Sequence, residues 1–364
     1  MNILIFVVNK LSLLECSNKR KGSPSHRILI VIINNYRSMK KSLYNFDEVL
    51  DIVNARITRI NYKNKPQSLF DPITYILSLG GKRVRPALAL MSYNLYKEDV
   101  ERVIPIALAI EVFHNFTLLH DDLMDRAGMR RGKPTVHIKW NDNTAVLSGD
   151  AMLIEAYKEI AKTEPEQLPR VLDLFSETAT EICCGQQYDM EFEQRLDVTI
   201  PEYLEMIRLK TAVLLGCALK EGAIVAGASD ADADNLYDFG INVGLGFQLR
   251  DDLLDVYGNS ESFGKKIGGD ILCNKKTFLL ITALTEPLTR KELLTWIDKT
   301  DFEENKKIEA VTKIYDKLDL KTKSENLISE YYEKAVGCLD KVSISDDRKT
   351  ELHKLAKNLT SRIS

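Results

Sequence analysis

Two aspartate clusters with the same spacing are the residues of this sequence best suited to metal chemistry. The first reads Asp121-Asp122-Leu123-Met124-Asp125 and the second reads Asp251-Asp252-Leu253-Leu254-Asp255. On a helix of 3.6 residues per turn, the first and last aspartates of each cluster share one face, about one turn apart. Hard cations relieve the repulsion between such carboxylates, since Mg²⁺ takes both carboxylate and phosphate oxygens as ligands. Each cluster is therefore a candidate site for Mg²⁺ and a phosphorylated ligand.

A short basic loop follows the first cluster directly. It reads Gly128-Met129-Arg130-Arg131-Gly132-Lys133-Pro134. The planar guanidinium of arginine fits phosphate oxygens with two parallel hydrogen bonds. A single acidic cluster is equally compatible with exposed acids at a helix end, but acids, a bridging metal and arginines together describe a cradle for a diphosphate.

Further basic segments suit an anionic ligand. Gly80-Gly81-Lys82-Arg83-Val84-Arg85-Pro86 sets three cations in a turn before a helix, where free backbone N–H groups also attract anions. Gly264-Lys265-Lys266 and Asn274-Lys275-Lys276 follow the second cluster, and lysines beside a metal site suit a leaving pyrophosphate. Lys210-Thr211, within a helical pattern, is a further candidate phosphate contact.

An amide continues the second cluster toward the N-terminus. Gln248, Asp251, Asp252 and Asp255 recur at i, i+3, i+4 and i+7, so they form one stripe along a helix. If this helix faces the helix that ends in the first cluster, acids line both walls of one cavity. Such a cavity would bind several metal ions with one diphosphate between them.

The elements that must carry these residues are helices. From Phe46 onward, apolar residues recur three and four positions apart, and alternating strand-like segments of useful length are lacking. Breaks such as Gly80-Gly81 and Glu164-Pro165 separate helices rather than domains. We therefore predict an all-α chain in which residues 39–364 form one domain of about ten helices.

The first 38 residues stand apart from this pattern. Their two apolar runs, residues 3–8 and 28–33, are far shorter than the ~20 residues that a membrane span requires. Met39 then opens a segment that would itself serve as a start. We expect residues 1–38 to be a non-native or disordered extension and the native protein to begin at Met39.

Composition excludes some classes of partner. With 50 basic and 53 acidic residues the formal net charge is −3, which gives no overall attraction to nucleic acid or to anionic lipid. The six cysteines form no CxxC pair, and a core of this size needs no disulfides. We predict a cytoplasmic protein with no membrane span and no nucleic-acid partner.

Taken together, the motifs resemble those of the trans-isoprenyl diphosphate synthases, the short- to medium-chain type of polyprenyl synthetase. The resemblance runs from about Phe46 to the C-terminus, in the family's order and spacing. The segments that carry it are residues 81–86, 120–125, 130–132, 149–150, 210–211, 246–248, 251–255 and 264–266. The resemblance implies an all-α bundle around a deep central cavity, usually a homodimer, with both aspartate clusters at the mouth of the cavity.

The resemblance also implies roles for individual residues. Asp121, Asp125 and Asp251 match the principal Mg²⁺ ligands, with Asp122 and Asp255 assisting and about three ions in each site. The allylic diphosphate would be held by Arg130, Lys210, Thr211, Gln248, Lys275 and one of the two lysines 265 and 266. Lys82, Arg85, His114 and Arg131 would hold isopentenyl diphosphate. The family shows two spacings for the glycine-loop lysine, so Lys265 and Lys266 both remain candidates.

In such enzymes the metal ions and the cations stabilise departing pyrophosphate, and the isopentenyl double bond attacks the allylic carbocation. Bulky side chains about one turn before the first cluster would form the floor of the cavity. Phe116 and Thr117 lie five and four residues before Asp121. We predict farnesyl to geranylgeranyl products, and a longer-chain, octaprenyl-type product is the alternative.

Three other protein classes share parts of this pattern. A di-iron helical bundle would use the pair Glu111 and His114, but that fold needs two such pairs and the sequence has one. A class I terpene cyclase would not need the second basic set, Lys82 with Arg85. A non-catalytic subunit of a heteromeric synthase stays open as an alternative, although such subunits typically lack the first aspartate cluster.

Overall fold

Helices account for almost all of the regular structure. The computed structural model describes residues 43–60, 62, 65–258 and 267–360. Across those residues the helices are α1 (Phe46–Ile57), α2 (Gln67–Ser78), α3 (Val84–Asn94), α4 (Ile104–Met124), α5 (Val136–Lys139), α6 (Asp142–Ile160), α7 (Leu168–Glu193), α8 (Ile200–Ile207), α9 (Val213–Ala226), α10 (Asp230–Tyr257), α11 (Gly269–Leu272), α12 (Phe278–Thr285), α13 (Pro287–Ile297), α14 (Glu304–Lys317), α15 (Leu320–Asp340) and α16 (Asp346–Thr360). The predicted all-α class is confirmed, with more helices than expected because short breaks divide several of them.

Two predictions lie outside the described residues. The proposed extension, residues 1–38, is one, and the glycine-loop lysines Lys265 and Lys266 are the other. Within the described part, the residues from Asn45 onward belong to one compact unit. The domain boundary at Met39 therefore stays a prediction.

Local sequence explains where several helices begin. Asn45 accepts a hydrogen bond from the N–H of Glu48, whose side chain accepts one from the N–H of Asn45 in return. Thr199 and Glu202 repeat this capping box at the start of α8. Each arrangement satisfies backbone N–H groups that the first turn of a helix leaves unpaired.

The core is built on α9 and α10, which run in close contact. A Cβ on Gly240 would lie 2.7 Å from the Cα of Gly216, and a Cβ on Gly244 would lie 2.6 Å from the Cα of Ala212. Glycine at these positions lets the two backbones approach one another directly. Since α10 also packs along α15, and α4 packs along α6, the ends of α4 and α10 are held by a rigid frame.

A two-residue hairpin replaces the loop expected after the first cluster. Met129–Arg130 pairs antiparallel with Lys133–Pro134. Arg131 (φ 51°) and Gly132 (φ 73°) form the turn, and two positive φ angles match the tight turns that suit the twist of paired strands. The hairpin fixes the direction in which Arg130 points.

One stretch of the described residues, Val100–Met124, is long and apolar enough to cross a membrane by composition and length. Of the 18 most apolar consecutive residues in this stretch, 67% are buried inside the protein. It contains α4 and ends in the first aspartate cluster, so it is a helix of the core.

Candidate active site

The first aspartate cluster occupies the C-terminal end of α4. Asp121 and Asp122 lie in its last turn, and Asp125 is the residue that ends the helix. Arg130 reaches back from the hairpin, with its Nε 2.7 Å from Asp122 Oδ2 and its Nη2 3.5 Å from Asp121 Oδ2. Asp122 is buried beneath this guanidinium. The structure therefore brings Arg130, from the predicted basic loop, into direct contact with the first aspartate cluster.

A π-helical segment, Arg208–Ala212, supplies the second cation of this cluster. Lys210 Nζ lies 3.2 Å from Asp121 Oδ1 and 2.6 Å from Asp189 Oδ2 on α7. A Cβ on Gly185 would come within 2.3 Å of the Lys210 backbone nitrogen, so α7 packs directly against the segment. Segments of π-helix often mark functional sites because the extra residue redirects side chains.

The second cluster lies on α10 and has neutral hydrogen-bond donors. The Tyr203 hydroxyl donates to Asp252 Oδ2 at 2.6 Å, and Gln248 Nε2 donates to Asp252 Oδ1 at 2.9 Å. The Thr211 hydroxyl in turn donates to Gln248 Oε1 at 3.2 Å. Gln248 and Thr211, both predicted site residues, thus meet in one network with Lys210 beside it.

The third aspartate of the second cluster, Asp255, accepts a hydrogen bond from the backbone. Asp255 Oδ2 accepts a hydrogen bond from the N–H of Asp270 at 2.9 Å, at the start of α11. Lys275 Nζ lies 3.7 Å from Asp270 Oδ1. A small cavity of about 40 Å³ is lined by Asp189, Lys210, Gln248, Asp252 and Lys275 among others, and Lys210 also contacts Asp121 of the first cluster.

Among the described residues around the two clusters, carboxylates outnumber cations, and burial with this charge raises several pKa values. Burial, with repulsion from Asp121, raises the pKa of Asp125 to about 6. Burial likewise raises the pKa of Asp252 to about 6, against the attraction of Lys275. Burial tends to lower the pKa of Lys275, but Asp252 and other nearby carboxylates outweigh it and raise the pKa. A site with this much negative charge fits a divalent cation.

The described residues hold no group of three or more His, Cys, Asp or Glu side chains already gathered closely enough to bind a metal by themselves. Mg²⁺ characteristically binds through one or two carboxylates and completes its shell with waters and substrate phosphates. The separated carboxylates on α4 and α10 fit that mode, in which the ligand between the walls supplies the remaining oxygens.

A basic cavity of about 370 Å³ is lined by Lys82, Arg85, His114, Arg131 and Phe247 among others. Arg85 Nη1 lies 3.2 Å from His114 Nε2, and the buried Arg85 Nε has no hydrogen-bond partner. Burial, together with Arg85 and the nearby arginines, lowers the pKa of His114 well below its usual value. The imidazole is therefore neutral, and among the described residues the cavity presents one buried donor without an acceptor, Arg85 Nε.

The geometry of this basic cavity depends on the glycine turn. The guanidinium of Arg131 donates to the carbonyl of Gly80, and a Cβ on Gly81 would lie 2.8 Å from Arg131 Nη2. Arg83 (φ 48°), in the same turn, forms a buried ion pair with Glu111 of α4. The pair ties the turn to α4, so Lys82 and Arg85 are presented at a fixed distance from the first cluster.

An apolar cavity of about 270 Å³ continues from the first cluster along α4 and α7. Its walls include Phe116, Thr117, Ile182 and Leu214, and it shares Arg85 and His114 with the basic cavity. The ring of Phe116 packs 5.5 Å from Phe113 and 4.8 Å from His120, centroid to centroid. Phe116 thus lines the apolar cavity where it was expected to, backed by aromatic rings.

Some residues of the site were not found from the sequence. Asp189 and Tyr203 belong to no motif, and nothing in their spacing predicts that they contact Lys210 and Asp252. Asp252 was visible in the stripe on α10, but its partners were not. Asp270 had a local signal, since it directly follows the glycine pair 268–269.

The all-α fold and the comparisons with known proteins together identify a trans-prenyltransferase. Residues 66–315 match the family model described as polyprenyl synthetase. The chain belongs to the polyprenyl synthetase family, as the resemblance of its motifs implied.

Relatives and solved structures agree with this assignment. A geranylgeranyl diphosphate synthase of Saccharolobus solfataricus is 37% identical over 314 residues, covering 84% of this chain and 92% of the relative. A geranylfarnesyl diphosphate synthase of Aeropyrum pernix is 37% identical over 294 residues, covering 79% and 92%. A crystal structure of a geranylgeranyl pyrophosphate synthase superposes with a TM-score of 0.85 at 42% identity, covering 88% of this chain and all of that one. The structure from Pyrococcus horikoshii Ot3, also of a geranylgeranyl pyrophosphate synthetase, gives 0.81 at 31%, covering 90% of this chain and 100% of the other.

Proposed function

We propose that the protein condenses isopentenyl diphosphate with allylic diphosphates and releases trans products of farnesyl to geranylgeranyl length. The observation that carries the proposal is the meeting of two cavities at Arg85 and His114. One cavity is basic and the other runs from an aspartate cluster into an apolar interior. Two diphosphates bound in them would bring an allylic carbon and an isopentenyl double bond together beside His114.

The allylic diphosphate would lie between the aspartate walls. Asp121, Asp125 and Asp251 would hold Mg²⁺, about three ions by family resemblance, with Asp122 and Asp255 assisting. Bound Mg²⁺ supplies positive charge that offsets the diphosphate. Arg130, Lys210 and Lys275 would then exchange their present carboxylate partners for phosphate oxygens, with Thr211 and Gln248 beside them.

The isopentenyl diphosphate would lie in the basic cavity. The positive charge would come from Lys82, Arg85 and Arg131. The buried Nε of Arg85 has no hydrogen-bond acceptor in the protein, so it would donate to a phosphate oxygen. His114 is neutral, so it can accept from Arg85 and leave that guanidinium oriented toward the phosphates. The proton released at the end of the condensation would leave with pyrophosphate, which needs no side-chain base.

Product length would be set by the apolar cavity. Phe116 lines it one turn below Asp121, and its contacts with Phe113 and His120 brace the ring against displacement. Thr117 leaves more depth than an aromatic residue would. The relative named for geranylgeranyl products supports the upper end of this range, whereas the relative named for geranylfarnesyl products makes a chain one isoprene unit longer.

We also propose a cytoplasmic homodimer. On α6, Val146, Leu147 and Ile154 are large apolar side chains with at least two fifths of their surface exposed (42%, 59% and 57%). Leu172 on α7 is also a partly exposed large apolar side chain (38%). Exposed apolar side chains grouped on one helix are typical of an interface, and a second copy of this chain is the partner that the family implies. Sedimentation of the native protein and of Leu147→Glu would test the interface, with monomers expected for the variant alone.

A condensation assay tests the function directly. The purified protein would be incubated with Mg²⁺, labelled isopentenyl diphosphate and each allylic primer in turn, and the products would be sized by chromatography. We expect products of farnesyl to geranylgeranyl length and no product in a parallel reaction with a chelator. Longer products would support the octaprenyl-type alternative, and no condensation with any primer would contradict the proposal.

A further inference from the structure

The turn between α11 and α12, residues 273–276, places Lys275 in the second wall of the site. The Lys275 ammonium borders the same small cavity as Lys210 and Gln248. The turn is short, and its neighbours point elsewhere: Lys276 is buried, whereas Cys273 is exposed. What holds this turn therefore decides where the Lys275 ammonium lies.

Asn274 is the strained residue of the turn. Its φ is 54°, in the left-handed region that costs energy for any residue except glycine, although asparagine tolerates it better than most. Both ends of its side-chain amide are occupied. Its Nδ2 donates to the carbonyl of Ile297 at 3.3 Å, and its Oδ1 accepts from Lys307 Nζ at 2.8 Å. The side-chain anchors offset the backbone strain.

Lys307 supplies the central anchor from a distant part of the chain. It lies on α14 and is 1% exposed, which is unusual for a lysine. Besides Asn274, its Nζ donates to the carbonyl of Leu272 at 3.3 Å, the last residue of α11, and lies 4.4 Å from the centre of the Phe302 ring. A buried ammonium needs such partners, and here two of them belong to the segment that leads into Lys275.

Lys276 fixes the turn from the opposite side. Its Nζ donates to the carbonyl of Glu193 at 3.1 Å and to the carbonyl of Asn274 at 3.3 Å. Glu193 ends α7, the helix that carries Asp189. The turn is thus tied to α7, α13 and α14 at once, while Lys275 alone among its lysines faces the site.

We infer that Lys307 is a positioning residue for the diphosphate-binding site: through Asn274 it fixes the turn that presents Lys275. The inference rests on the proposed function, in which Lys275 binds the allylic diphosphate. It assigns to α14 a role in substrate affinity, although α14 itself does not reach the cavity. The effect should therefore fall on the allylic diphosphate and on pyrophosphate, and not on isopentenyl diphosphate.

The test is the variant Lys307→Met, which keeps the length of the side chain and removes its donors. We expect KM for the allylic diphosphate, and the inhibition constant of inorganic pyrophosphate, to rise about tenfold, a loss typical of residues that support ligand-binding groups. KM for isopentenyl diphosphate should stay within about twofold, because the basic cavity does not contact this turn. Lys307→Arg, which restores donors, should recover most of the loss.

Two controls separate positioning from stability. Lys313→Met removes an exposed lysine of the same helix and should leave every constant unchanged. Asn274→Gly keeps the positive φ without strain but removes both amide anchors, so it should repeat the pattern of Lys307→Met even if that variant folds poorly.

Equal changes in both KM values, or a lower yield of active enzyme with unchanged constants, would overturn the inference. If the native protein itself condenses no substrates, the proposed function fails first. If the native protein is active and both Lys307→Met and Asn274→Gly bind pyrophosphate normally, only the positioning role fails.

Discussion

The two aspartate clusters have the same spacing but different surroundings. In the first cluster the acids contact cations, since Arg130 pairs with Asp122 and Lys210 pairs with Asp121. In the second cluster, the contacts between described residues include neutral donors: Tyr203 and Gln248 donate to Asp252, and a backbone N–H donates to Asp255. The same aspartate spacing therefore occurs with two different sets of hydrogen-bond partners.

The difference suggests a division of work within the site. Cations paired with acids can move to phosphate oxygens once Mg²⁺ takes those acids, so the first cluster is arranged to exchange partners. A neutral donor that leaves a carboxylate for a phosphate gains less, because its hydrogen bond to phosphate carries no attraction between opposite full charges. The contacts of Asp252 and Asp255 with neutral groups thus help to hold the second wall in shape.

The largest expected effect is a difference in kcat/KM between variants of Asp121 and of Asp252. Asp121→Asn removes a proposed metal ligand that faces two cations, and we expect kcat/KM to fall about 10³-fold, as for loss of a principal electrostatic group. Asp252→Asn keeps the acceptor for Tyr203 and loses mainly the bond from Gln248, so a loss of about tenfold is expected. Steady-state assays at saturating Mg²⁺ measure both. Similar losses would show that the clusters work alike.

Tyr203→Phe tests the neutral anchor alone. The ring stays in its buried place, but Asp252 Oδ2 loses its donor at 2.6 Å. We expect KM for the allylic diphosphate to rise about fivefold, because Gln248 and Thr211 lose a fixed neighbour. Tyr257→Phe, whose hydroxyl binds Asp316 away from the site, is the matched control. A normal KM in Tyr203→Phe would remove the anchoring role.

Phe116 and Phe247 extend the comparison to the residues below each cluster. Phe116 lines the apolar cavity under the first cluster, whereas Phe247 lines the basic cavity beside the second. Phe116→Ala should lengthen the main product by at least one isoprene unit, with rates changed only about threefold. Phe247→Ala should leave length unchanged and raise KM for isopentenyl diphosphate. If Phe116→Ala gives products of native length, Phe116 is not the floor.

The smallest expected effect concerns pH and Asp125. The pKa of Asp125 is raised to about 6 in the folded protein, above its value in an unfolded chain. Its contribution to stability is then fully present below about pH 4 and is lost as pH rises through about 6. Without metal, Asp125→Asn should melt higher than the native protein at pH 8, and the gap should close toward pH 4. A gap that is constant with pH would contradict the raised pKa.

Sequence reasoning reached the helices and both clusters because these depend on local spacing. The periodic apolar residues predicted the all-α fold, and the motif residues Lys210, Gln248 and Lys275 were found together around one cavity. The roles of Tyr203, Asp189 and Lys307 could not be predicted from the sequence, because each depends on a contact between segments that are far apart in the chain. The sequence indicates only a loop at Arg130, because strands of two residues are too short to show the alternation of apolar and polar side chains that predicts a hairpin.

The π-helical segment Arg208–Ala212 has a consequence for how this enzyme can change. Removing one residue there would restore regular α-helix with little rotation of the flanking turns, but would redirect the side chains within the segment. Lys210 would then leave the site, while the apolar faces on both sides could still pack. A shortened descendant would be a folded bundle without catalysis, so the length of this segment is under stricter constraint than its composition.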